Sequence, residues 1–499
     1  MKNTNQYDIV IIGSGLGGLV CANTLSKEGF KVCVLEKNAN FGGCLQSYKR
    51  NNGVIDTGLH YVGCLDEGQI LNQYFKYMGI LDQLNIKRLD EDGFDIINIK
   101  GKEYRHVIGH ERFVETLSQQ FPKERRGIET IVKQFKTIGD LINTDVLRKQ
   151  KAFSISALPY FSLSAADFLK EHTKDVTLRN VLAGTALLSG DEETTTSLYV
   201  FSTIMNSNIE SSYRFVDGSQ QVVDLLIASI RSHGGEVYNK SEVTRIIVKD
   251  DLVSGVEING ETIVEGKNFI SNMHPSRTLE LLDKTRIIKK AYISRINSLK
   301  DSLGFFTLSM VLKDNAFEYL NRNYYYYDTN QIWTSPDYIK RGAKSLLFCT
   351  SASSSGKYAK VAQILEPMYW WEVEQWADTT VEKRGEAYHT FKQKRAEALI
   401  EHVDRFHPGL KESVAACYSS TPLTYRDYTA TKNGSAYGIV KDHNNASASL
   451  LSYKTRIPNL FFSGQNNNVH GMIGGFLTAM YTCSEFIGTE ALTQKVVNA

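Results

Sequence analysis

Between Tyr7 and Lys37 the chain runs through a strand, three glycines, a helix and a second strand, an order that few folds can accommodate. Asp8-Ile9-Val10-Ile11-Ile12 is a short, almost continuous apolar run, as a parallel strand needs when helices cover both its faces. Gly13, Gly15 and Gly18, with Ser14, Leu16 and Gly17 between them, fit G-x-G-x-x-G. The first glycine permits a tight turn, the second lets backbone approach a pyrophosphate, and the third seats the helix close on the sheet. That helix points free N–H groups and its positive dipole end at the phosphates. Gly29 suits its stop. The second strand, Lys31 to Leu35, ends at Glu36, 23 residues after Gly13, where a carboxylate grips both ribose hydroxyls, and Lys37 follows. A purely structural role for the glycines would require strand, helix, strand and acid to coincide by chance.

Two more glycine-marked segments come soon after the ribose acid. Asn40-Phe41-Gly42-Gly43-Cys44 and Ile55 to Gly63, containing Gly58, Leu59 and His60, read as backbone passing close to a bound cofactor, with a pair of ordinary turns as the alternative. From Leu71 to Arg214 the character changes. Ile128, Ile131, Phe135, Ile138 and Ile142 recur at helical steps, and Leu163 to Leu188 also reads as helical. This stretch is expected to form a cap. Phe153 to Phe161 is apolar and uncharged, fit either for packing inside that cap or for a lipid surface.

Near Asp217-Gly218 the pattern returns to α/β. A helix is expected at Val222 to Ser232, strands at Glu236 to Tyr238 and Val243 to Val248, and a hairpin turning at Asn259-Gly260. Phe269 to Asn272 reads as a further strand returning to the first sheet. Asp283 to Tyr453 combines strands (Phe305 to Leu312, Ser345 to Thr350), a long helix (Glu382 to Phe406) and clustered aromatics: Tyr324 to Tyr327, Trp333, Tyr338, Tyr369, Trp370, Trp371 and Trp376. Those rings fit a core or an apolar tunnel. Asn459 to Phe476 repeats the logic of the beginning: a strand, a polar turn with Gly464 and Gln465, then a helix from about Ile473. The expected architecture is therefore α/β. A Rossmann-like cofactor domain, discontinuous in sequence (1–70, 215–282 and 454–499), is joined by a helical or mixed cap (71–214) and a mixed α+β substrate domain (283–453).

Composition narrows the partners. At 499 residues more than one core is expected. A net charge of +2 is too balanced for a nucleic-acid partner. Seven cysteines without a C-x-x-C suggest neither a disulfide framework nor a zinc site, which implies a reducing, cytosolic setting and no metal. No basic, apolar leader precedes the first strand, and no run reaches the length of a membrane span, so any membrane contact is expected to be peripheral.

These stretches, in this order, resemble the flavoprotein family of phytoene desaturases, carotenoid cis-trans isomerases and retinol saturases, itself akin to the amine oxidases. The resemblance is carried by Gly13 to Glu36, Gly42-Gly43, Asp56-Thr57-Gly58, Asp217-Gly218, Ser420 to Thr424, Gly434 to Gly438 and Ser463-Gly464-Gln465. It implies FAD, with the ADP half held by the N-terminal βαβ, Val243 at the adenine, and the Gly464-Gln465 segment with Met472 and Ile473 at the ribityl chain and flavin. Asn272 joins that set. Two departures stand out: Cys44 where the family often has arginine, and Gln465 where it often has aspartate, the latter more like the saturase branch. The implied activity is oxidation, reduction or redox-dependent isomerisation at carbon–carbon double bonds of a long apolar polyene or lipid, with an electron partner that the sequence does not name. The flavin carries the hydride, and reduction also needs a proton. His60, His470 and Tyr437 are the candidate donors, with Tyr61 or water as alternatives. An amine oxidase-like enzyme and a non-catalytic lipid- or prenyl-binding carrier are the competing readings.

Overall fold

The computed structural model describes residues 6–147, 158–190, 192–342, 344–354 and 356–499. Its first sheet is built around Tyr7–Ile12, which lies parallel to Val32–Leu35 on one side and to Thr262–Ser271 on the other. Side chains alternate across a strand, and here both faces are apolar. Ile9 and Ile11 pack among residues of the helices Leu16–Lys27, Gln220–Ser232 and Gly471–Ile487. Val10 and Ile12 pack among those of the Val243–Lys249 and Leu252–Ile258 strands and the helix Pro275–Leu281. Glu236–Tyr238 extends the sheet beyond Val32–Leu35.

The hairpin turns at Asn259 (φ 54°) and Gly260 (φ 75°), the paired left-handed geometry that suits strand twist. What reads in sequence as a return strand and a separate Phe269 to Asn272 strand is one ten-residue strand, Thr262–Ser271. Its first half pairs with the hairpin. Its second half pairs with Leu460–Phe462, which brings the C-terminal turn beside the glycine loop.

A second seven-stranded sheet runs in the order Val414–Ser420, Gly304–Leu312, Val361–Met368, Ser345–Thr350, Asn323–Tyr327, Asp95–Ile99, Lys102–His106. The 71–214 stretch thus contributes two strands to it as well as helices, and Asp95 pairs in register with Asn323. The helices Arg125–Leu147 and Leu198–Glu210 share a core with this sheet. Leu163 to Leu188 is not one helix but three, Ala165–His172, Val176–Leu182 and Ala186–Ser189. The break falls where the Asp175 carboxylate caps the second by accepting from the Leu178 N–H at 3.0 Å.

The apolar stretch Phe153 to Phe161 lies outside the described residues up to position 157. Beyond that, Phe161 is buried and stacks on Tyr199, whereas Leu158 is 44% exposed. The clustered aromatics do not line the cavity described below. Tyr325 to Tyr327 are strand residues in the core, Trp333 packs on Phe201, and Trp376 packs on Tyr388 and Phe391. Among the described residues no helix is long and apolar enough to cross a membrane, and no cluster has the makings of a metal site.

Candidate active site

A cavity of about 990 Å³ opens at the C-terminal ends of the central parallel strands, the usual ligand crevice of an open α/β sheet. Gly13, Gly15, Leu16, Gly17, Glu36, Lys37, Gly42, Gly43, Cys44, Gly58, Leu59, His60, Val243, Asn272, Tyr437, Gly464, Gln465 and Met472 all line it. Ser14, Gly18, His470 and Ile473 do not.

Those outside the lining have other contacts. Ser14 donates to Glu36 Oε2 through its N–H (3.0 Å) and its hydroxyl (2.7 Å), and its oxygen accepts from the Gly42 N–H at 3.1 Å. Asn38 donates twice to the other carboxylate oxygen, at 2.9 Å each. The acid is therefore held rigidly at the mouth of the second strand. At Gly18 a Cβ would stand 2.2 Å from the Gly13 carbonyl oxygen, so only a bare backbone lets the helix sit this close. Ile473 packs against the core beneath its own helix.

At Gly15 a Cβ would meet the Asn272 side-chain nitrogen at 2.7 Å. What presses on this glycine is thus a protein amide, which also lies against Gly17 and Gly464. Gly15 begins the helix Leu16–Lys27 and His470 begins Gly471–Ile487, and neither N-cap side chain bonds its first turn. Two helix N-termini without N-cap side-chain bonds at one glycine-lined cavity fit the oxygens of a dinucleotide. Gln465 braces the second of them. Its amide donates to the Ala436 carbonyl (3.1 Å) and accepts from the Gly471 N–H (3.2 Å), a double task that an aspartate at this position cannot perform.

The opposite wall comes from the second sheet. Helix Pro422–Thr429, capped by Thr421 with proline in its first turn, brings Tyr425 and Arg426 to the cavity. Lys37 Nζ donates to the Asp427 carbonyl at 2.6 Å and Asn38 to that of Tyr428 at 2.8 Å, so this helix is tied to the first strand unit. In sequence Ser420 to Thr424 stands out only through the family resemblance, which shows neither the helix that begins at Pro422 nor its place beside Glu36.

The inner end is apolar, with Leu59, Phe305, Leu365 and Ala436 beside His60 and Tyr437. Burial and the Arg214 charge push His60 down to about 4, against a hydrogen bond with Gln363 that favours its charged form. His470 lies behind the wall with its ring stacked on Tyr437. Its Nε2–H donates to the Ile439 carbonyl at 3.2 Å, and burial with the nearby Lys441 pushes it down to about 3. Both imidazoles are therefore neutral near pH 7. Desolvation disfavours the imidazolium form of both rings. Burial raises the Cys44 thiol to about 11, so it remains protonated.

Residues 11–78 match the family model described as an NAD(P)-binding Rossmann-like domain. The chain is 27% identical to an all-trans-retinol 13,14-reductase of Rattus norvegicus, over 97% of this chain and 86% of the relative. It is 24% identical to a chloroplastic prolycopene isomerase of Daucus carota, over 88% and 72%. Among solved structures, a triple mutant of putrescine oxidase superposes with a TM-score of 0.62 at 14% identity, covering 97% of this chain and 99% of that one, which speaks to the fold. The glycine-lined crevice, the second helix N-terminus facing it and the similarity over most of the chain to both a retinoid reductase and a carotenoid isomerase point the same way: the chain is similar to the phytoene desaturase, carotenoid cis-trans isomerase and retinol saturase group of oxidoreductases.

Proposed function

We propose that the protein is an FAD enzyme that reduces a carbon–carbon double bond of a long apolar polyene of the retinoid or carotenoid type. The observation that carries this reading is the continuity of one cavity from the Glu36 and glycine-loop end to the apolar end at Leu59, Phe305 and Leu365. In this reading residues 1–70, 215–282 and 454–499 hold the cofactor, while 71–214 and 283–453 hold the substrate. When bound, FAD supplies the electron pair exchanged with the double bond. The chain does the rest. Glu36 takes the adenosine ribose, the N–H groups after Gly15 take the pyrophosphate, and the turn at Gly464 and Gln465 positions the ring system. Phe305 and Leu365 exclude water from the reacting carbons. Leu158, Leu163 and Val176, all exposed, support peripheral contact with the lipid surface from which such a substrate is drawn.

The purified protein is expected to take up FAD without a covalent link. Under anaerobic conditions, with the flavin chemically reduced, all-trans-retinol should gain two mass units. Peroxide release with amines and no change in retinol or prolycopene would replace this reading with the amine oxidase one; failure to bind FAD would leave the carrier. Flotation with liposomes tests the lipid contact, and protein confined to the aqueous fraction contradicts it.

A further inference from the structure

Directly behind His60, the Tyr61 hydroxyl donates to Asp95 Oδ2 at 2.9 Å and shares a 2.8 Å hydrogen bond with the Tyr325 hydroxyl. Asp95 is wholly buried on the second sheet, and its other oxygen accepts from Asn323 Nδ2 at 2.7 Å. Asn323 in turn accepts from Arg214 at 2.5 Å, and Arg214 also donates to the Leu320 and Arg322 carbonyls and the Tyr319 hydroxyl. Among the described residues no cation hydrogen-bonds the carboxyl directly. The titratable or charged groups facing it are Tyr61, Tyr325, Tyr327, Cys349 and Arg214, with His106 opposite it on the neighbouring strand and held neutral by burial. The Tyr437 phenol, which lines the cavity, is close enough to raise the Tyr61 pKa further.

We infer that Asp95 stores the proton consumed at the inner end of the cavity and releases it through Tyr61 toward Tyr437. Asp95 then acts as a positioning residue for the proton, and the inference rests on the reductase reading above. Burial supports it by raising the Asp95 carboxyl to about 7, against the hydrogen bonds from Asn323 and Tyr61 and the Arg214 charge. His60 and His470, by contrast, hold no spare proton at that pH.

The step is a proton transfer alone, and the electron pair is that of the reduced flavin already named. Protonated Asp95 reverses the bond to Tyr61, donating from Oδ2. Its O–H bond breaks as the Tyr61 oxygen takes that proton and passes its own toward Tyr437, whose hydroxyl protonates the second carbon and is refilled. Asp95 remains as a carboxylate in the field of Arg214 and regains a proton from water between turnovers.

Two variants separate the relay from a structural role: Asp95→Asn, and Tyr61→Phe in case the first folds poorly. Infrared difference spectra between about pH 5 and about pH 9 should show a protonated carboxyl band that titrates near neutrality and is missing in Asp95→Asn. With all-trans-retinol, parental kcat should fall about tenfold per unit above a pKa near 7. Tyr61→Phe, with full FAD content and unchanged KM, should lose tenfold or more in kcat together with that limb. An Asp95 band that titrates at the ordinary carboxylate pKa overturns the inference, as does an unchanged pH profile in Tyr61→Phe. Because the infrared arm needs no substrate, a protein that shows the band but leaves retinol untouched loses the reductase reading and keeps Asp95 as a proton store.

Discussion

The two ends of the cavity are made in opposite ways. At the dinucleotide end, recognition is by backbone: the N–H groups that follow Gly15 and His470 are presented by two helix N-termini, and Ser14, Glu36, Asn38 and Gly42 lock together within one stretch of chain. Behind the inner end the polar groups are side chains drawn from distant stretches: Asp95, Asn323 and Tyr325 stand on adjoining strands of the second sheet, and Tyr61 and Arg214 reach them from segments packed beside it. A backbone site needs little more than glycines at set spacings, and an added atom there is tolerated only where a movable side chain is in the way. A side-chain site depends on register, and it tolerates isosteric change in shape while losing its chemistry.

The sharpest way to break that contrast is Gly18→Ala. Its Cβ would meet a backbone oxygen at 2.2 Å, which no rotamer change relieves, so the helix must lift from the strand. A cost of about 3 kcal/mol or more is expected from such overpacking, with loss of bound FAD. Tyr61→Phe should keep its FAD. Calorimetry and flavin absorbance on both decide the matter, and a Gly18→Ala protein that melts and binds like the parent would show the close approach to be incidental.

That contrast also explains what the sequence disclosed. Gly13, Gly15, Gly18 and Glu36 carry their meaning in local spacing, and the Asn259-Gly260 hairpin carries its own in a dipeptide. Asp95 does not. Inside Asp95-Ile96-Ile97-Asn98-Ile99 it is a charged residue in a buried strand, a signal that marks something unusual without naming its partners. Its pairing with Asn323, across 228 positions, is a property of sheet order. The protonation of His60 and His470 is hidden for a related reason: burial and the charges of Arg214 and Lys441, which set it, are invisible in one dimension.

Acid should expose this next. His60, His106 and His407 are pushed down to about 4 and His470 to about 3, each chiefly by burial. Because their folded pKa values lie below the unfolded value of about 6.5, the unfolded chain binds more protons below that pH. Their stabilisation is full above about 6.5 and is lost as pH falls through the folded values. Asp95 has the opposite sign: raised to about 7, it stabilises fully below about pH 4, and that contribution fades as pH rises through 7. Melting temperature should therefore climb between about pH 4 and 6.5, and climb more steeply in Asp95→Asn, where the opposing slope is gone. A shallower climb in the variant contradicts the assignment of the raised carboxyl.

A smaller effect is expected at Gly15, because the atom in the way is the end of a side chain. Gly15→Ala should weaken FAD binding by about 1–3 kcal/mol, the usual range for one inserted carbon, as Asn272 is displaced from its 2.7 Å approach. Adding Asn272→Ala should return part of that loss. If the double variant binds no better than Gly15→Ala, the new methyl obstructs the pyrophosphate directly and Asn272 is a bystander.

The smallest effect should come from Gln465→Glu, which keeps the length of the side chain and changes only what it can donate. Glutamine gives a hydrogen bond to the Ala436 carbonyl and takes one from the Gly471 N–H. An ionised glutamate keeps the second and improves it, because a negative charge at a helix N-terminus is worth about 0.3–1 kcal/mol. It loses the first, worth about 0.5–1.5 kcal/mol, and sets a carboxylate against a carbonyl. The two changes nearly cancel in stability, so the melting temperature should move little. They do not cancel in position: the Ala436–Tyr437 segment is released while the Gly471 helix is held. FAD affinity measured by flavin titration should change only a few-fold, whereas kcat with all-trans-retinol should fall further than affinity, since Tyr437 stands on the released side. Equal losses in both would place Gln465 with the backbone-built end of the cavity and not at the joint between the two.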